Sequence, residues 1–219
     1  MCGRYGFRDP DKIREYYDLE DDLKDLKPRY NAAPAQQLPV ILKNAKLHAQ
    51  TMRWGLIPFW AKDMSIGYKM INARAEGIES KPSYRTAFKK QRCLVPASFF
   101  FEWDKVSGDR TPYLIRLKNQ DVFSFAGLYD VWRDAEDKEF PSYTIITTEP
   151  NSKVARIHNR MPVILTKDEE KKWLDVDYPT PVKLLDSYPA EKMELYPVST
   201  LVNKPANDNE SIIEKAKSI

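Results

Sequence analysis

Short apolar stretches, interrupted every few positions by charged or turn-forming residues, give this chain the pattern of a strand-rich protein with few helices. Leu38–Leu42 is an apolar strand, and Leu47–Trp54 follows it at hairpin distance. Cys93–Trp103 is mostly apolar, broken by Pro96, with Glu102 inside its far end, and reads as one buried strand. Tyr113–Leu117, Val122–Tyr129 and Tyr143–Thr147 are rich in β-branched and aromatic residues between charged turns, which predicts antiparallel pairing. Pro162–Leu165 predicts one more strand.

Helical spacing is rarer. Asp9 caps a helix with Pro10 in its first turn, and Ile13, Tyr16, Tyr17, Leu23 and Leu26 fall near one face until Pro28 ends it. Tyr30–Pro34 then reads as a turn. Ser80-Lys81-Pro82 opens a short helix carrying Tyr84 and Phe88, and Thr166-x-x-Glu169 is a capping box before Trp173 and Leu174. Pro181–Leu185 predicts a second short helix near the end. The run from Trp54 to Trp60, WGLIPFW, reads as a surface loop. These elements predict a single α+β domain over residues 1–202, with a curved or barrel-like antiparallel β core and helices packed outside. Residues 203–219 open with the polar stretch NKPANDNE and predict a loose C-terminal tail.

Composition narrows the chemistry. The 219 residues carry 35 basic and 32 acidic side chains, so contact with nucleic acid requires a local patch. Only 7 glycines are present and none forms a phosphate-cradling motif, which argues against nucleotide-dependent enzymes. Two cysteines 91 positions apart give neither a disulfide framework nor metal-ligand spacing, and suit a reducing cytoplasm. No apolar run approaches a membrane span. Neither a cofactor nor a metal is expected.

Cys2 is the first chemical candidate. Removal of Met1 leaves an α-amine and a thiol on adjacent carbons, a 1,2-aminothiol. The amine condenses with an aldehyde to a Schiff base, and the thiol closes a five-membered thiazolidine that hydrolyses less readily than an imine. A retained Met1 blocks this, and Cys2 alone reads equally as an ordinary second residue. Glu102 is flanked by Phe99, Phe100, Phe101 and Trp103, and such surroundings raise a carboxyl toward proton exchange near neutrality. A glutamate facing solvent or an arginine is the competing reading. His158 lies in a polar loop entering a strand, although a lone histidine is more commonly a surface or core residue; His48 reads as surface. Alternation places Asn72, Arg74 and Glu76 on one face, where an arginine holds a phosphate or the face is simply solvated. Trp60, near Lys62, with the arginines at 4, 8 and 53, forms a stacking platform or belongs to the core.

Cys2-Gly3-Arg4-Tyr5, Tyr30–Pro34, Arg53–Pro58 through Trp60, Ile71–Glu76, Cys93–Trp103 and Ile157–Pro162 occur in the order found in the SOS-response-associated peptidase family. The chain resembles that family over most of its length to about residue 165. Its eukaryotic members were first described as 5-hydroxymethylcytosine-binding proteins. The resemblance implies a monomer that recognises abasic sites in single-stranded DNA, in association with replication forks, and links to them covalently through Cys2. An abasic deoxyribose in its open form is an aldehyde, the electrophile that a 1,2-aminothiol traps. By the same resemblance Asn72 positions the cysteine amine, Glu102 shuttles protons in lyase-like Schiff-base chemistry, and His158 assists and reverses the crosslink. Arg4 and Arg74 match phosphate-binding positions, and Asn31, Pro34, Trp60 and Thr147 match positions lining the lesion and the bent strand.

One departure stands out: Ser98 and Phe99 occupy positions where the family usually has an acidic residue and a glycine, and a phenylalanine there is expected to alter the loop or narrow the site. Three other functions compete. A thiol peptidase or autopeptidase would use Cys2 as nucleophile and His158 as base. A class II glutamine amidotransferase also begins Met-Cys-Gly, but carries glycine-rich motifs that this chain lacks. A non-covalent nucleic-acid reader needs no chemistry at all.

Overall fold

The short apolar segments become strands of two sheets in the computed structural model, which describes residues 2–19, 23 and 25–216. In chain order the first elements are β1 (Arg4–Phe7), α1 (Pro10–Tyr17), β2 (Arg29–Ala32), β3 (Gln37–Lys43), β4 (Leu47–Trp54), β5 (Asn72–Arg74) and α2 (Arg85–Lys90). They are followed by β6 (Arg92–Ala97), β7 (Phe99–Trp103), β8 (Pro112–Leu117), β9 (Phe123–Arg133) and β10 (Glu139–Thr148). Two short bridges, β11 (Met161–Pro162) and β12 (Ile164–Leu165), lead to α3 (Lys167–Leu174) and the last strand, β13 (Met193–Pro197).

Strands β10, β4, β3, β6 and β9 pair in that order, and β9 pairs back to β10, so five strands close into a barrel. Closure removes free edges from the core. All but one of these seams are antiparallel. Between β10 and β4 the pairing is parallel, Ser142 with Arg53 and Tyr143 with Trp54, so the expected barrel-like core, antiparallel at its other seams, is a mixed barrel. At Gly55 β4 leaves the sheet: its φ of +123° is open to glycine, and a Cβ there would stand 2.5 Å from the Gly67 carbonyl oxygen. Beyond Tyr143 the same edge of β10 takes up β5, again in parallel, pairing Ile145 with Asn72 and Thr147 with Arg74. A second sheet, in the order β13-β8-β7-β1-β2, lies beside the barrel.

Tyr5 of β1 joins the two layers. Its ring meets Trp54 at 5.1 Å and Phe125 at 5.9 Å, edge to face, and its hydroxyl shares a 2.7 Å hydrogen bond with that of Tyr143. Buried phenols need such a partner.

Several boundaries differ from expectation. Cys93–Trp103 is two strands, β6 in the barrel and β7 in the second sheet, separated at Ser98, whose N–H donates to the Gly6 carbonyl at 2.8 Å. Both faces of β7 are covered. Phe100 enters the main core, while Phe99 and Phe101 join Leu114, Val198, Val202 and Ile212 in a smaller one. Helix α1 stops at Tyr17 because Asp18 adopts the left-handed conformation, with φ of 55°. Leu23 and Leu26 still pack on the core, whereas residues 20–22 and 24 lie outside the described residues. Tyr30–Ala32 is strand, not turn, and α2 begins only at Arg85, with Tyr84 as its cap. Pro162–Leu165 divides between β10 and β9.

The polar segment after Asn203 is not loose. Asp208 accepts hydrogen bonds from the backbone N–H groups of Tyr30 (2.6 Å) and Asn31 (2.8 Å) and ion-pairs with Arg29 at 2.9 Å. Asn31, fully buried, presents its side-chain amide to the carbonyls of Val202, Lys204 and Asn207, each at 3.0 Å. Ile212 is buried beneath this latch. Asn31→Ala leaves those carbonyls without their donor and is expected to destabilise the protein by about 1–3 kcal/mol, measured by urea unfolding, with faster proteolysis of the C-terminal segment. Unchanged stability would mean that the latch is passive.

Candidate active site

The register that pairs Arg4 of β1 with Phe101 of β7 carries the chain start alongside Glu102. Cys2 is fully buried, and its Sγ lies 3.7 Å from the Arg4 carbonyl oxygen. Burial, and next the charge of Glu102, push the thiol far above its ordinary range. The resting sulfur is therefore a thiol that needs a base. Cys93, the other free thiol, is equally buried, in the barrel wall.

Glu102 is 2% exposed, on the same face of β7 as Phe100. Burial raises its carboxyl to about 7. His158 is also 2% exposed and follows a 3-10 turn, Val154–Arg156; its N–H donates to the Val154 carbonyl at 2.9 Å. Its Nε2 stands 3.7 Å from Glu102 Oε2, and burial lowers the imidazole to about 4. The usual order of the two side chains is thus inverted. Near pH 7 the imidazole is neutral while the carboxyl is divided between its acid and base forms, a pairing suited to proton transfer.

Lys105, three residues beyond Glu102, completes this group, with Nζ 3.1 Å from His158 Nε2. Sequence reasoning passed over it, because a lysine after a strand end looks like solvent-facing charge.

Asn72 stands on β5 at the neighbouring edge of β10. Its amide N–H groups donate to the Ile71 (3.0 Å) and Ile145 (3.4 Å) carbonyls, while Oδ1 is buried with no hydrogen-bond partner among the described residues. An unfilled buried acceptor of this kind receives an N–H readily. Arg74 is exposed at the end of β5, opposite Thr147, which is buried. Arg160 ties the two halves together. Its backbone flanks the His158 ring, its guanidinium donates to the Thr147 carbonyl at 2.6 Å, and it forms a two-pronged ion pair with Glu76. Arg4, half-buried, donates from Nη1 to the Gly3 carbonyl at 2.9 Å.

The remaining expected residues sit farther out. Trp60 is 49% exposed, beside Phe59 and a cavity of about 420 Å³ that Lys62 and Lys69 also line. Its loop is pinned at Ala61, whose carbonyl accepts from Trp132 Nε1 at 2.7 Å. Pro34 lies in the turn between β2 and β3, half-buried. Asn31 does not join this group, since its amide is committed to the C-terminal latch. Among the described residues no cluster of three His, Cys, Asp or Glu side chains is placed to hold a metal.

A family model described as SOS response associated peptidase (SRAP) matches residues 1–205. The chain belongs to this family. It is 44% identical over 224 residues to the Abasic site processing protein YoqW of Bacillus subtilis (strain 168), covering 98% of this chain and 99% of that one. It is 33% identical over 255 residues to the Abasic site processing protein HMCES of Xenopus tropicalis, covering 95% and 76% respectively. A crystal structure of a protein from Bacteroides thetaiotaomicron matches 99% of this chain and 100% of its own, at a TM-score of 0.90 and 32% identity. The resemblance read from the motifs therefore holds along the whole SRAP domain. Within it, Phe99 does not narrow the site: its ring packs over Gly6 in the smaller core cluster, on the face of β7 opposite Glu102.

Proposed function

We propose that this chain processes abasic sites in single-stranded DNA by linking covalently to them through Cys2. The observation that carries the reading is a buried cysteine at the chain start beside an acid–base pair whose proton affinities are inverted by burial. Its relatives' names support the abasic-site part of this reading. Met1 lies outside the described residues, and the chemistry requires its removal to free the Cys2 amine.

The steps then balance. Glu102, in its acid form, protonates the departing ring oxygen as the abasic sugar opens and takes the hemiacetal proton on its second oxygen, while neutral His158 keeps the carboxyl oriented. The Cys2 amine adds to the aldehyde and one water leaves, giving an imine. The thiol adds across the C=N bond, its proton passing to nitrogen, so the thiazolidine differs from the reactants by that single water. Asn72 Oδ1 accepts an N–H of the attacking amine. Arg4 and Arg74 bind flanking phosphates, and Trp60 stacks on a base, with Pro34 and Thr147 bordering the strand. The adduct covers the lesion and shields it from cleavage.

Intact-mass measurement on Met1-processed protein is expected to show one DNA strand added minus one water. The same strand with its abasic aldehyde reduced to an alcohol gives no adduct. Equal labelling by both strands, or by neither, would refute the aldehyde trap.

A further inference from the structure

The contacts of His158 contain a choice of two states. An ammonium offers hydrogens and no lone pair. With Lys105 Nζ at 3.1 Å, Nε2 must be the acceptor, so the ring hydrogen sits on Nδ1 and donates to the Arg160 carbonyl, also 3.1 Å away. The Arg160 N–H lies 3.1 Å from the same Nδ1, placed to donate to it if the ring hydrogen moves to Nε2. One residue's backbone thus satisfies either tautomer at equal distance. In the second tautomer Nε2–H faces Glu102 Oε2, 3.7 Å away. Among the described residues, what separates the two states is Lys105.

Lys105 is placed to move. Its backbone is fixed, the N–H donating to the Ile157 carbonyl at 2.9 Å, but its side chain is exposed. It borders an open cleft of about 710 Å³ lined also by Glu102, Trp103, Gly108, Arg110 and Asn203. Among the described residues lining that cleft, Lys105 and Arg110 are the cations and Glu102 is the acid.

We propose that Lys105 is a positioning residue that selects the tautomer of His158: it holds the ring in the Nδ1–H form until a strand phosphodiester, entering between Lys105 and Arg110, draws the ammonium away and frees Nε2 to exchange a proton with Glu102. The acid–base pair is then connected only when a strand is seated. This rests on the DNA reading of the site but not on covalent chemistry, because the tautomer can be read without any adduct.

The chain has only 2 histidines, so long-range proton–nitrogen NMR of the imidazoles resolves His158 once His48→Gln assigns the other signal. At pH 8 the wild-type protein is expected to show the Nδ1–H pattern, and Lys105→Met the Nε2–H pattern. Lys105→Arg, again a donor without a lone pair, restores the first. In a Cys2→Ala background, unmodified oligothymidylate moves His158 to the Nε2–H pattern, while inorganic phosphate at the same phosphate concentration does not. Lys105→Met also lowers the slope of log affinity against log salt by about one. A His158 pattern indifferent to Lys105→Met or to the oligonucleotide would overturn the proposal, and an equal response to free phosphate would overturn its strand-specific part. Failure to form adducts with these responses intact would instead remove the covalent reading and leave this one standing.

Discussion

Cys2→Ala is expected to yield no covalent product with abasic single-stranded DNA under conditions in which the wild-type protein is converted completely. The alanine variant keeps an α-amine, so it can still form an imine, but it lacks the thiol that closes the ring. Well-oriented intramolecular attack is equivalent to reactant concentrations of about 10⁵ M or more, and that advantage disappears with the sulfur. The residual imine hydrolyses unless reduced with borohydride. Two controls separate chemistry from collapse. The buried Sγ leaves only a small void, expected to lower stability by about 1 kcal/mol, and non-covalent binding to the same strand should persist because Arg4, Arg74 and Trp60 are untouched. Adduct persisting in Cys2→Ala at the wild-type rate, stable without reduction, would sink the assignment of Cys2 and leave the non-covalent reader or another nucleophile.

The sequence was readable where one physical effect dominated. The pattern of short apolar runs and β-branched, aromatic stretches located β3, β4, β8 and much of β9 and β10, since each of these buries apolar side chains. It was silent on the division between β6 and β7, because both faces of β7 are buried and three consecutive phenylalanines carry no period. Helix α1 was overextended for the opposite reason: Leu23 and Leu26 continue the apolar spacing, but a left-handed Asp18 ends the helix before them. Polarity misled at the C-terminus, where Asn31 and Asp208 act inside the fold, satisfying backbone groups that hydrophobicity does not register. The site divides similarly. Cys2, Glu102 and His158 could be picked out by residue type and neighbours, yet their convergence comes from the pairing of β1 with β7 and from the turn before His158, which no local pattern encodes. Lys105 was invisible because its meaning lies wholly in a distance.

Glu102→Gln is the substitution expected to harm activity and help stability at once. Loss of a general acid typically slows the reactions it serves by about 10²–10⁴-fold, and sugar-ring opening and imine formation both draw on this carboxyl, so crosslinking should fall within that range. Stability runs the other way. The folded carboxyl, at about 7, binds its proton more tightly than an ordinary glutamate at 4.5, because burial penalises the charge. A raised folded-state pKa stabilises the wild type fully below pH 4.5, and that contribution is lost as pH rises to 7, since the unfolded chain releases its proton first. The interval corresponds to about 3 kcal/mol. Glutamine does not titrate and keeps its neutral amide in the same place. Relative to wild type, Glu102→Gln should therefore gain about 3 kcal/mol between pH 4.5 and pH 8 in urea unfolding. His158, lowered to about 4, loses stability as pH falls below 6.5 in both proteins, so comparing the two at each pH removes its contribution to first order. A stability difference that stays constant across this window would place Glu102 in solvent, where its charge is not penalised, and would remove the physical basis for its role as the proton carrier of the site.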